Sequence, residues 1–207
     1  MLKIAWSEIF AHSLPEGHRF PMAKYDLLPE QLLYEGTITK DNLFAPEPLQ
    51  EQYILDTHDA TYWQRLRDLE LSPSEIRKTG FPLSEQLVQR EVVIMNGTLQ
   101  ASLFALEFGI GMNIAGGTHH AFTDRGEGFC LLNDIAIAAN HLLKYKGIKK
   151  VLVVDLDVHQ ATARHRFSGT SHECLPSACT VGITIPSTKN NRTWMYRWQR
   201  ELMIKPI

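Results

Sequence analysis

Cysteine is scarce in this chain, with only Cys130, Cys174 and Cys179 among 207 residues. Three thiols make no disulfide framework, so the expectation is a protein of a reducing compartment, the cytoplasm. No apolar run is long enough to span a bilayer. The opening residues, MLKIAWSEIF, lack the features of a secretory signal and read as a first strand. An excess of one charge is missing too. The 21 Lys/Arg and 23 Asp/Glu leave a formal −2, which gives no bias toward nucleic acid or a membrane surface. There is no internal repeat and no low-complexity segment. What remains is an ordinary globular composition, 44% apolar and 21% charged, at a length that allows one substantial domain.

Taken in order, the apolar pattern predicts a strand over Leu2–Trp6, then a loop carrying His12 and His18. A helical stripe follows with Tyr25, Leu28, Leu32 and Leu33, stopped at Gly36; Pro29 is expected to break or restart it. Residues 43–50 read as a Pro-containing connection. A helix is predicted from Asp59 to Leu69, with Tyr62, Trp63, Leu66 and Leu69 inward. Ser72-Pro73-Ser74-Glu75 reads as a capped turn into a short helix ended by Gly80 and Pro82. A long helix is predicted from Ser84 to Phe108. Its core contacts would be Leu87, Val88, Ile94, Leu99, Leu103 and Leu106, with Gly97 marking close packing. Gly111–Ala115 reads as a strand, and Asn133–Tyr145 as a helix with Ile135, Ile137, Ala138 and Leu142 toward the core and Gly147 as cap.

The stretch Val151–Gln160, VLVVDLDVHQ, carries the chemistry. Four unbroken β-formers suit a strand buried on both faces of a parallel sheet. Asp155, Asp157 and His159 follow at spacing two, which places them on one face at the carboxyl end of that strand. Asp157 and His159 can bind a divalent metal, although a zinc hydrolase site takes three protein ligands. Asp155 either orients a histidine or helps hold a monovalent cation. The preceding strand ends in Gly116-Gly117-Thr118-His119-His120-Ala121. Adjacent imidazoles in such a turn suit proton transfer to and from a water; the plainer alternative is two chance loop residues. Phe129, after Gly126-x-Gly128, either walls an apolar channel or is an ordinary buried aromatic. Cys130 reads as a small buried hydrophobe, and His58 as structural. His12, His18 and His141 receive no role.

GGTHHAFTDRGEGFCLLND (Gly116–Asp134) followed by VVDLDVHQ (Val153–Gln160) resembles the zinc-dependent histone deacetylases, most of all their class IV and bacterial branch. The resemblance covers residues 1–160. It implies the N-terminal part of the three-layer α/β arginase/deacetylase fold, whose parallel sheet has eight strands. It also implies hydrolysis of the amide of an acetylated lysine or related acyl-amine, such as an acetylpolyamine. By resemblance Asp157 and His159 are zinc ligands, and His119 and His120 the tandem acid/base pair. Asp155 would bond His119 and join a structural potassium site. Gly128 and Phe129 would line the acyl-lysine tunnel. The D-x-H-x-D pattern of two-manganese arginases is not met, because Ala161 stands where its second carboxylate belongs.

After Gln160 the character changes. Residues 161–207 hold seven Lys/Arg and two Asp/Glu, and no periodicity. Deacetylases continue here with a turn such as GNGT, where this chain has ATARHRF. Reading the third base of each codon with the first two of the next, suitable synonymous codons turn Gln160–His165 into GNGTA. The same frame can turn Pro176–Trp198 into FSMHCGHNYPFHKEQSDLDVSLA, which again resembles the family. The expectation is a one-base loss just after the Gln160 codon, a partial domain over 1–160, and a poorly ordered, out-of-frame tail over 161–207. Such a chain would be inactive or at most a binding module.

Overall fold

Lys3–Ala5 (β1) is the middle of a three-stranded parallel sheet, between Leu43–Phe44 (β2) and Gly111–Asn113 (β3). The computed structural model describes residues 1–155. Ile4 and Ala5 pair with Leu43 and Phe44 on one side, and with Met112 and Asn113 on the other. Parallel neighbours require crossovers, and the helices supply them. Between β1 and β2 runs Lys24–Tyr34 (α1). Between β2 and β3 run Glu51–Leu55 (α2), Ala60–Arg67 (α3), Pro73–Thr79 (α4) and Glu85–Phe108 (α5). Asp134–Tyr145 (α6) follows β3 and packs on α5.

The long α5 is the spine. Ser84 caps it by accepting from the Leu87 amide, and Gly109 ends it at a positive φ of 86°. Its glycine is a packing requirement, as expected: a Cβ on Gly97 would lie 2.8 Å from Asn113 Nδ2 and 3.2 Å from the Ala5 Cβ. The helix therefore lies almost against the sheet face that carries Ala5 and Asn113. Leu87, Val88, Ile94 and Leu99 are buried in a cluster with Phe10, Ile54, Tyr62, Leu66, Phe81 and Ile137. Leu103 is only partly buried, and Leu106 is exposed because it lies beyond the packed stretch of the helix. α5 also buries an Arg90–Glu91 ion pair, with Arg90 Nε donating to the Phe10 carbonyl at 2.7 Å. Burial pushes the Glu91 carboxyl up to about 7.

Several expectations are corrected. Pro29 neither breaks nor restarts α1. A proline leaves the carbonyl four residues back unbonded, and here the Trp6 indole donates to that Tyr25 carbonyl at 2.8 Å. Leu28 is exposed; Tyr25 and Pro29 form the buried face instead. The 43–50 connection contains β2, and it leads into α2, which the sequence reading did not foresee. Leu69 is not inward: it sits past the end of α3 at φ 61° and is exposed. The short helix is as expected. Ser72 and Glu75 form a capping box, and Arg65 of α3 grips Glu75 at 2.9 and 2.7 Å.

The largest correction concerns Val151–Val154. No strand is formed there among the described residues, and Leu152 and Val154 are 61% and 52% exposed. Burial on both faces needs strands on either side and helices above and below. Among the described residues α5 covers one face of β3, while Met112 on the opposite face is 52% exposed. The expected tail over 161–207 lies outside the described residues.

Candidate functional site

The tandem histidines sit on a tight loop leaving β3, and the loop is built around one carboxylate. Asp134, fully buried at the start of α6, accepts from the Gly117 amide at 2.9 Å and the Thr118 amide at 2.8 Å. It also accepts from the Thr118 hydroxyl at 2.8 Å and the Thr98 hydroxyl at 2.5 Å. Gly116 permits this approach, since a Cβ there would lie 2.8 Å from Asp134 Oδ2. Gly117 turns the chain at φ 90°. On the far side of the histidines, Asn133 Nδ2 donates to the Ala121 carbonyl at 3.0 Å.

His119 is buried, and its Nδ1 bonds the Gly117 carbonyl at 2.9 Å. A carbonyl can only accept, so Nδ1 carries the proton and Nε2 is left as a base. Nε2 is buried and has no hydrogen-bond partner among the described residues. The His120 ring lies 4.1 Å from that of His119. Gly128 lies against His120: a Cβ on it would be 3.2 Å from His120 Cδ2. The structure thus brings together His119, His120 and Gly128, with Phe129 following.

Phe129 holds a positive φ of 65°, a strained conformation for a non-glycine residue. It is fixed by its amide donating to the Thr79 carbonyl at 2.7 Å, beside Gly128 donating to Lys78 at 3.0 Å. Its ring lies over Gly80, where a Cβ would come within 2.8 Å, and packs on Phe20 and Phe81. His18, given no role from sequence, supports this wall. Its Nδ1 accepts from the Phe20 amide, so its Nε2 donates to the Gly80 carbonyl at 2.8 Å. Arg19 lies 4.8 Å over the Phe129 ring. Cys130 is buried as expected, and desolvation pushes its thiol up to about 12, away from nucleophile chemistry.

His58 is structural, as read from the sequence, and more specific than that reading. Its Nε2 accepts from the Asn133 amide at 3.0 Å and its Nδ1 faces the Thr123 carbonyl at 3.3 Å. It thereby staples both arms of the 123–133 loop. Burial lowers its pKa to about 4, so it stays neutral as this bonding requires. Sequence reasoning missed Asn133 and Asp134 as site residues. The available signal was their position as an N-cap and first residue of a helix directly following the GGTHH loop. Nothing local pointed to Thr98, 36 residues from Asp134 in the chain.

Asp155 is buried. Asp157 and His159 lie outside the described residues. No group of three His, Cys, Asp or Glu side chains that could hold a metal occurs among the described residues. The donor types of Asp157 and His159, carboxylate oxygen and imidazole nitrogen, suit zinc, and the orphaned His119 Nε2 is the kind of atom that would face the water of such a centre.

A buried tandem-histidine loop thus lies beside a parallel sheet and next to Gly128 and Phe129. The histone deacetylase domain family matches residues 18–172, and the chain belongs to that family. Among similar proteins, an uncharacterized protein of Picosynechococcus sp. is 40% identical over 147 residues, covering 71% of this chain and 49% of its own length. Histone deacetylase 2 of Arabidopsis thaliana is 28% identical, covering 69% of this chain and 38% of its own. The chain therefore spans about half the length, or less, of these curated relatives. An HDAC homolog from Aquifex aeolicus superposes with a TM-score of 0.71 at 23% identity, covering 87% of this chain and 50% of that one. The same comparison shows the arginase/deacetylase fold. No helix among the described residues is long and apolar enough to cross a membrane.

Proposed function

We propose that this chain carries the proton-transfer half of a zinc-dependent deacetylase site, one that hydrolyses the amide of acetyl-lysine. The carrying observation is His119: buried, fixed in the Nδ1–H tautomer by Gly117, with Nε2 beside His120 and without a partner among the described residues. Its Nε2 takes a proton from the attacking water, and the pair returns one to the leaving amine. Gly128 and Phe129 form one wall of the slot for the acyl-lysine chain, where a side chain on Gly128 would crowd His120. Asp157 and His159 would hold the zinc, and Asp155 would join a potassium site; the orientation of His119, which the resemblance assigns to Asp155, falls to the Gly117 carbonyl. When bound, the zinc polarises the amide carbonyl and acidifies water. Support for an acylated substrate comes from a solved HDAC homolog complexed with SAHA, 23% identical to this chain. Small acyl-amines such as acetylpolyamines are the alternative substrates, since they present the same amide to the same residues. The test is release of acetate from acetyl-lysine peptides and from acetylpolyamines by the purified chain, with and without added zinc. No release from any of these at saturating zinc removes this reading.

A second reading is favoured by the change of character after Gln160. The chain is a frameshifted product, out of frame over 161–207, so that the third zinc ligand expected of a hydrolase site is lost with the original frame. Such a chain binds zinc weakly and is inactive. The gene sequence decides: a single-base change just after the Gln160 codon must restore a deacetylase-like frame, or this reading fails.

A further inference from the structure

We propose that the dipeptide Asn133–Asp134, which opens α6, is the positioning element of the tandem histidines, gripping their loop on both sides. The inference deepens the deacetylase reading and rests on it for its functional meaning. A helix start needs one side-chain cap, and Asn133 Oδ1 provides it by accepting from the Ala136 amide at 3.0 Å. The Asp134 carboxylate is therefore free of capping duty, and it turns wholly to the loop that carries His119 and His120. It is fully buried and takes four donors, from Gly117, Thr118 (twice) and Thr98. A buried charge so completely paired, at the positive end of a helix, is held in one geometry. In return the Asp134 amide donates to the Thr118 hydroxyl at 3.1 Å. The same Asn133 side chain that caps the helix holds the Ala121 carbonyl with its amide nitrogen. Residues 117–118 and 121, which flank the two histidines, are thus pinned.

The consequence reaches the ring nitrogens. Asp134 fixes the amides of Gly117 and Thr118, and the Gly117 carbonyl in turn fixes the tautomer of His119. Release of Asp134 lets that carbonyl turn, and the preference for Nδ1–H goes with it. Release of Ala121 frees the backbone next to His120. Asn133 and Asp134 act through the histidines and touch no reacting atom.

The test uses the full chain and three variants. Asn133→Ser keeps an oxygen to cap α6 but cannot reach Ala121. Asp134→Asn cannot accept from all four donors. Thr98→Val removes one donor and is the mild control. Histidine ring nitrogens are followed by NMR, assigned with His119→Gln and His120→Gln, alongside thermal unfolding. Wild type is expected to show one Nδ1–H tautomer for His119. Asp134→Asn should average its two ring-nitrogen shifts, and Thr98→Val should move them less. Asn133→Ser should shift or broaden His120 while keeping a thermal midpoint close to wild type. Unchanged ring signals in both Asn133→Ser and folded Asp134→Asn overturn the proposal. Should Asp134→Asn not fold, Asn133→Ser decides alone. Where acetate release is measurable, a displacement of about 1 Å in the histidines costs on the order of 100-fold in kcat/KM. Absence of hydrolysis in wild type would sink the deacetylase reading and leave the ring-nitrogen result standing on its own.

Discussion

Two apolar stretches of this chain face opposite fates. Leu87–Leu99 of α5 disappears into a core shared with Phe10, Ile54, Tyr62 and Ile137. Val151–Val154 is more hydrophobic residue for residue, yet Leu152 and Val154 are exposed. Composition alone would rank them the other way. The difference is the supply of partners. The sheet, α2, α3 and α6 all precede or flank α5 closely enough to cover it, whereas a central parallel strand depends on strands and helices from elsewhere in the sequence. About half the length of the relatives is not spanned by this chain. Among the described residues, Val151–Val154 has the composition of a core strand without its burial.

The contrast can be broken most sharply at the α5 ion pair. Arg90→Leu leaves Glu91 buried without its cation, at a cost of about 3–5 kcal/mol by urea unfolding. The loss should grow as pH rises, since burial raises the Glu91 carboxyl while Arg90 lowers it, and a protonated carboxyl needs no counter-charge. Next comes Ile94→Ala, which opens a cavity in the same core and should cost about 2–5 kcal/mol in the same measurement. His58 gives a pH signature. Its folded pKa is lowered to about 4 while the unfolded chain protonates near 6.5. Its contribution is therefore fully present above that range and is lost as pH falls from about 6.5 to about 4. His58→Gln should flatten that part of the stability profile; an unaltered profile would show that His58 is not the group responsible. Ser72→Ala, which removes the α4 capping box, should cost about 1 kcal/mol. At the small end, Leu152→Ser and Val154→Ser should stay within about 0.5 kcal/mol of the parent. A loss at Leu152 as large as that at Ile94 would abolish the comparison.

Much of the fold was legible where the local signal and the packing agree. The capped starts at Ser72, Ser84 and Asn133 fell where Ser and Asn precede apolar periodicity, and Gly97 announced the close approach of α5 to β1 and β3. Pro29 was misread because its cost is local while its remedy, the Trp6 indole, comes from β1's flank 23 residues earlier. Leu69 and Leu106 were misread because periodicity does not say where a helix stops being covered. At the site, His119, His120, Gly128 and Phe129 were readable as a cluster of chemically apt residue types in two short loops. The roles of Asp155, Asp157 and His159 remain proposals.

The sequence by itself determined the family, because adjacent imidazoles, a glycine pair and a D-x-D-x-H run are each chemical signals confined to a few residues. Only the tertiary structure decided which groups hold them. Thr98 of α5 holds Asp134 of α6, Asp134 holds Gly117 and Thr118, and His58 before α3 holds the neighbouring Asn133 amide, from distant parts of the chain. Hydrogen bonds act over about 3 Å of space, and no pattern along the chain reports that distance. For the same reason the sequence could identify Val151–Val154 as strand-like, but burial depends on what arrives beside it.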